Sequence, residues 1–235
     1  MLVLALVFGL LPGFAWLAFY LAEEEDRPEP KRLIALTFFA GIAFGLFTII
    51  VEKWWTAVLS GAGIALFSAI SLLTLAFIEE VMKFGAAYFA VGKDGRASEP
   101  VERMLYMIVA AMGFATLENL GAIVSIRPSL AFVNAFFTTA SLRFVGATLL
   151  HSLTSAIVGY HWALGVARRK TGRNLAVGLA YASVLHAIFN YLILDYGNVA
   201  YTAVLLVIAG FFVLNDFEKL RARPVPGSGA AAKTA

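Results

Sequence analysis

Cysteine is absent from the 235-residue chain. That excludes disulfide staples, a thiol nucleophile, thiolate-bound zinc and iron–sulfur clusters. Charge is scarce too: Asp, Glu, Lys and Arg make up 14% of the residues, against about 25% in an average soluble domain. Apolar residues fill the difference, at 61% of the chain and a mean hydropathy of +0.84. Too little polar surface is left to cover a water-soluble globule, and a disordered or small secreted chain is excluded with it. No Lys or Arg precedes the first apolar run, so it lacks the basic start of a cleaved secretory signal. It reads as an uncleaved span with the N-terminus outside, kinked at Pro12.

A helix of about 20 apolar residues crosses a bilayer. Seven stretches qualify, at 2–22, 33–51, 60–91, 103–125, 144–167, 175–194 and 199–215. The third is long enough to tilt, to begin as a surface helix, or to break near Gly61–Gly63. The stretch 129–142 is short for a span and reads as re-entrant or interfacial; it makes an eighth span if it crosses. The expected fold is therefore an all-α, polytopic transmembrane helical bundle. One transmembrane domain is expected over 1–220, with a disordered cytoplasmic tail over 221–235 that is rich in Pro, Gly and Ala.

The formal charge of +3 is uninformative as a total, but its distribution is not. With the N-terminus outside, fourteen Lys and Arg fall on the cytoplasmic side, in clusters at Arg27–Arg32, Lys93–Arg103, Arg168–Arg173 and Lys219–Lys233. Only Lys53, Arg127 and Arg143 remain outside. Cytoplasmic loops carry the positive excess, so the N-terminus is placed outside and the C-terminus in the cytoplasm. Trp54 and Trp55 beside Lys53 read as an outer interfacial anchor, and Gly41 with Gly45 as a close helix-packing pair. The run Glu23–Asp26 reads as a solvated loop.

Against this apolar background a few polar residues stand out. The third span carries Glu79, Glu80 and Lys83, the fourth Glu118 and Asn119, the fifth His151, and the sixth His186 and Asn190. At about 2.5–3.5 kcal/mol per central charge, the four charged residues cost about 10–14 kcal/mol gross. Depth shows whether they meet. At ~1.5 Å rise per residue from each cytoplasmic end, Glu79 and Glu80 lie ~17–19 Å up, His186 ~18 Å, Glu118 ~22 Å and His151 ~25 Å. Two helices run up and two run down, yet their polar residues fall at one level. A structural ion cluster, or separate interhelical hydrogen bonds at the histidines, would explain single residues; the shared depth argues for one site. His161, beside Trp162, reads as interfacial, and Asp195 as a boundary residue. Arg143 is either an outer anchor or a carboxylate partner.

Glu79/Lys83 and His186/Asn190 are i,i+4 pairs and Glu80/Lys83 is i,i+3, so each pair shares a helix face. With all carboxylates ionised the spanning charges are net negative. Either one divalent metal balances them or carboxyls hold protons, and both arrangements suit hydrolysis.

Taken in order, EExxK at Glu79–Lys83, FxxxEN at Phe114–Asn119, Arg143 followed by His151, and HxxxN at His186–Asn190 resemble the PrsW family of intramembrane proteases. The chain is similar also to the wider superfamily of CAAX prenyl endopeptidases and bacteriocin-processing membrane proteases. The resemblance covers about 60–194, which are the expected catalytic spans. Two departures from the prenyl-endopeptidase pattern favour the PrsW family. Lys83 stands one position earlier than that group's arginine, and Glu118 replaces a histidine. The resemblance implies a peptidase that cuts membrane-anchored proteins, such as a transmembrane anti-sigma factor. It also implies Glu79 or Glu80 as the water-activating base, with His186 and Asn190 stabilising the oxyanion. Both metallo- and glutamic mechanisms are attached to the family. Glu80, Glu118, His151 and His186 can form a site for a divalent metal such as zinc, although no HExxH pair is present. The expected partners are the bilayer and a membrane-anchored protein substrate, with no nucleic acid. A proton- or ion-coupled transporter and an inactive membrane scaffold of the same fold are the other readings.

Overall fold

The computed structural model describes residues 2–22, 29–92, 99–126, 132–194 and 199–222. Arg27, Lys93, Arg96, Arg127, Asp195, Arg223, Lys233, the run Glu23–Asp26 and the 223–235 part of the tail lie outside the described residues. Among the described residues all regular structure is helical. The elements are α1 (Leu2–Ala22), α2 (Lys31–Gly61), α3 (Ala69–Val91), α4 (Pro100–Val124), α5 (Phe132–Leu142), a π-helical turn (Arg143–Ala147), α6 (Thr148–Ala167), α7 (Thr171–Leu194) and α8 (Val199–Arg221).

Helix α4 forms the centre of the bundle. Every residue from Met104 to Thr116 is buried, the pattern of a helix that is apolar all round and enclosed by others. Its start is fixed by a capping box, in which the Glu99 backbone N–H donates to Glu102 Oε2 at 3.0 Å and Pro100 begins the first turn. α1, α2, α3, α6 and α8 pack around it. The crossing with α2 is made by glycine: a Cβ on Gly41 would meet the Ala110 carbonyl, and one on Gly113 would meet the Phe38 carbonyl. Small residues let two backbones approach this closely, as expected for the Gly41–Gly45 pair. On the outside, Phe39, Ile50, Phe89, Val207 and Phe211 are each more than 60% exposed. Such an exterior suits a hydrocarbon solvent.

Among the described residues, five helical stretches are long and apolar enough to cross a membrane: α2, α4, 133–167, α7 and α8. α3 equals α8 in length but contains Glu79, Glu80 and Lys83, and α1 contributes a shorter apolar helix. Several boundaries differ from the sequence reading: α3 begins at Ala69 rather than 60, and α8 runs to Arg221 rather than 215. α2 does not stop at 51 but continues through Glu52, Lys53, Trp54 and Trp55 to Gly61. Of the three alternatives for the third stretch, the structure has the break near Gly61–Gly63, with Gly63 at φ 72° in the left-handed region that glycine tolerates. Ser68 Oγ then accepts from the Ser71 N–H at 3.3 Å and starts α3. The described part of the stretch 129–142, from Phe132 on, is not a separate piece: α5 runs without interruption through the π turn into α6.

Candidate active site

Lys83 and Glu80 lie on one face of α3, both wholly buried, and Lys83 Nζ donates to Glu80 Oε1 at 2.5 Å. The same ammonium reaches His151 Nδ1 on α6 at 3.1 Å. An ammonium only donates, so Nδ1 accepts and the ring proton sits on Nε2, which donates to Glu118 Oε2 at 2.9 Å. Arg143 Nη2 donates to that same Glu118 oxygen at 2.9 Å, and its Nε to Asn119 Oδ1 at 2.5 Å. Asn119 Nδ2 in turn donates to Thr148 Oγ1 at 3.0 Å. Arg143 is thus a carboxylate partner rather than an anchor. It opens the π turn, a kind of helix distortion that concentrates at functional sites.

The network continues through α7. His186 Nδ1 lies 2.8 Å from Glu80 Oε1, which also accepts from Lys83; the carboxylate oxygen accepts both bonds. That leaves His186 Nε2 turned toward Glu79 Oε2, 3.7 Å away and too far for a direct hydrogen bond. The two imidazole rings stand perpendicular with centroids 5.3 Å apart. Glu80, Lys83, Glu118, Asn119, His151 and His186 therefore form one connected cluster from α3, α4, α6 and α7, with Glu79 at its edge.

Glu79 also lines a cavity of about 540 Å³, together with Asn190, one turn beyond His186 on α7. Leu72 and Leu75 of α3, Ile49, Lys53 and Thr56 of α2, Leu66 and Phe67 of the α2–α3 connection, and Leu194 complete the lining with Glu52. Glu52 of α2 and Glu79 of α3 thus face the same cavity. Sequence reasoning missed Glu52, although it is a carboxylate with apolar residues resuming two positions later, at Trp54. Trp55 is likewise more than an anchor, since its Nε1 donates to Thr74 Oγ1 on α3 at 2.9 Å. His161 stays outside the cluster, with Nδ1 2.9 Å from the Ile157 carbonyl of its own helix.

The side chains that converge as metal-type ligands are Glu79, His151 and His186, with one donor atom from each lying within 4.8 Å of the others. The sequence had named Glu80 and Glu118 beside the two histidines. Those carboxylates are instead engaged by Lys83 and His186, and by Arg143 and His151. The chemistry of the converging set, one carboxylate and two imidazoles, fits a catalytic zinc centre. Glu79 Oε2 is buried with no protein partner, consistent with an open ligand position. His151 already uses both nitrogens and would exchange one hydrogen bond for an ion.

A bundle with an apolar exterior that buries acids and imidazoles beside a cavity has the build of a protease working inside the membrane. The chain belongs to the PrsW family of intramembrane metalloproteases, whose family model matches residues 29–214. It is a multi-pass membrane protein. Protease PrsW of Bacillus subtilis (strain 168) is 25% identical over 91% of this chain and 94% of its own length. Protease PrsW of Geobacillus kaustophilus (strain HTA426) is 27% identical over 79% of this chain and 78% of its own. Protease PrsW of Oceanobacillus iheyensis is 23% identical over 88% of each. No solved structure matches the chain.

Proposed function

We propose that this chain is an endopeptidase that cuts membrane-anchored proteins, a transmembrane anti-sigma factor being the kind of substrate expected, with Glu79 as the base that activates water. The observation that carries this reading is the contrast between the two adjacent glutamates. Glu80 is fully buried and accepts at Oε1 from both Lys83 and His186, whereas Glu79 lines the cavity; Oε2 of each is without a protein partner. A base must reach its water, and only Glu79 of the pair faces space that holds one.

Each remaining residue has a task in this scheme. Glu80 orients His186 through Nδ1–H, so that Nε2 offers a lone pair beside Glu79. A separation of 3.7 Å between Nε2 and Glu79 Oε2 lets one water hydrogen-bond to both. Glu79 accepts the proton as that water attacks the scissile carbonyl. The Asn190 amide donates to the developing oxyanion, since an imidazole whose proton is spent on Glu80 cannot. Lys83 balances Glu80 and, through His151, ties α3 to α6. Arg143 and Glu118 hold His151 in the tautomer that Lys83 requires. Where a divalent ion is resident, Glu79, His151 and His186 would hold it, and it would supply polarisation of water or carbonyl oxygen. The mouth of the cavity lies where α2 and α7 end and α3 begins, the end that the distribution of Lys and Arg assigns to the outside.

The test is kinetic. Glu79→Gln is expected to lower kcat at least about 100-fold, the contribution typical of a general base, with KM for the anchored substrate little changed. A folded Glu79→Gln/Glu80→Gln variant cutting at the wild-type rate would sink the scheme. Metal analysis of the purified protein, beside cleavage with and without chelator, addresses the ion. Metal held by this set is expected to be lost in His186→Ala and kept in Asn190→Ala.

A further inference from the structure

α1 lies outside the stretch that the family model matches and outside every motif of the resemblance, and nothing in the scheme above uses it. It nevertheless touches both elements that carry the Arg143–Glu118 pair. Against α4 the approach is close: a Cβ on Gly13 would meet Thr116 Oγ1 and the Met112 carbonyl, just before Glu118. One turn further along α1, Trp16 Nε1 donates to the Phe144 carbonyl at 3.0 Å, inside the π turn that Arg143 opens. Gly13 and Trp16 are i,i+3, so one stretch of α1 bridges α4 and the turn.

The bond falls on the carbonyl that the π turn affects. In an α-helix the Thr148 N–H would donate to the Phe144 carbonyl, four residues back. Here it donates to the Arg143 carbonyl, five residues back. The indole N–H compensates the Phe144 oxygen for the bond that Thr148 gives up, and so favours the π register over the α register. The register decides where Arg143 points. A π turn holds one residue more than the α turn it replaces, so a return to the α register would swing Arg143 by about 100° around the axis of α6. Its bonds to Glu118 Oε2 at 2.9 Å and Asn119 Oδ1 at 2.5 Å would be lost with that swing. α1 has a second tether, one turn beyond Trp16. The Tyr20 hydroxyl donates to Ser152 Oγ at 3.0 Å, since Ser152 spends its own proton on the Leu149 carbonyl at 2.7 Å. That bond reaches regular α-helix and leaves the π turn untouched.

We infer that Trp16 is a positioning residue of the hydrolytic site: its indole N–H holds the π turn, and the π turn aims Arg143 at Glu118 and Asn119. This rests on the reading of the buried cluster as a hydrolytic site. The role is indirect, because Trp16 touches neither substrate nor reacting atoms and acts through Arg143.

Trp16→Phe removes the N–H and keeps an aromatic ring. Benzothienylalanine at the same position removes the N–H and keeps the shape as well, so the comparison survives a poorly folding Trp16→Phe. With a membrane-anchored reporter protein as substrate in detergent or proteoliposomes, both are expected to lower kcat about tenfold with KM little changed, as for misplacement of a working group. Tyr20→Phe removes one hydrogen bond of the same helix and is expected to lower the melting temperature by a similar small amount, with kcat close to that of wild type. Added to Arg143→Met, Trp16→Phe is expected to cause no further loss of kcat, because a residue acting through Arg143 has nothing left to aim. A wild-type kcat in the benzothienylalanine variant overturns the proposal. So does a loss in Tyr20→Phe equal to that in Trp16→Phe, or an undiminished further loss on top of Arg143→Met. The underlying reading fails separately: a folded Glu79→Gln/Glu80→Gln variant that cuts at the wild-type rate places the chemistry elsewhere, whatever Trp16 does.

Discussion

Lys83 is the residue on which the buried cluster turns. One ammonium donates to Glu80 and to His151, and so joins α3 to α6, with the Lys83 and Glu80 side chains wholly buried. Lys83→Met keeps the side-chain length and leaves the Glu80 carboxylate buried without its cation. Breaking a buried pair from one side costs about 3–5 kcal/mol, so that variant is expected to unfold at a clearly lower temperature than wild type. Glu80→Gln/Lys83→Met orphans no charge and is expected to lose less than the single variant. Equal losses in the two would show that Lys83 contributes packing alone. Charges within apolar runs are legible in sequence because the bilayer makes them costly, and hence Glu79, Glu80, Lys83, Glu118, His151 and His186 stood out. Their pairing was not legible. Helix spacing puts Lys83 within reach of Glu79 at i,i+4 and of Glu80 at i,i+3, and only the packing of α7 beside α3 decides for Glu80. Glu52 escaped for another reason: next to Lys53 and two tryptophans, it looked like the end of a span.

At the scale of elements, composition separates helix from loop but not core from lipid. α4 and α8 have nearly the same hydropathy, 1.7 and 1.9, yet 67% of the one apolar stretch is buried and 22% of the other. Lipid tails and side chains are equally apolar, so burial has to be read from close-packing devices instead. Gly113 is such a device. A Cβ there would overlap the Phe38 carbonyl, whereas one on Gly121, two turns later on α4, meets nothing. Gly113→Ala is expected to destabilise by about 1–3 kcal/mol through forced separation of α2 and α4. Gly121→Ala is expected to be neutral or stabilising by about 0.5–1 kcal/mol, the ordinary helix preference for alanine. Thermal unfolding of the two variants in one detergent measures the difference, and similar melting temperatures would show that the crossing tolerates a wider spacing. The π turn at Arg143–Ala147 was beyond sequence reading, because local propensity carries no signal for one extra residue in a continuing helix. It explains how α5 and α6, read as two pieces, form one helix with Arg143 aimed at Glu118.

For the whole molecule, the remaining question is which way the cavity faces. Its mouth is lined by Lys53 and Thr56 near the end of α2, Leu66 and Phe67 in the α2–α3 connection, and Leu194 at the end of α7. The short connection between α6 and α7 contains Arg168, Arg169 and Lys170, with Arg173 just beyond. Basic connections stay in the cytoplasm, and α7 leads from this one up to Leu194, so the cavity mouth should open outside. The lack of cysteine makes the chain a ready background for testing this, since every introduced thiol is the only one. A Cys at Leu66 is expected to react with a membrane-impermeant maleimide on intact cells, and a Cys at Arg169 only after the membrane is opened. The reverse pattern would put the cavity on the cytoplasmic side and limit the enzyme to bonds near the inner surface. The expected pattern would direct the search for substrates to proteins whose chain leaves the bilayer on the outer side close to a cleavable segment.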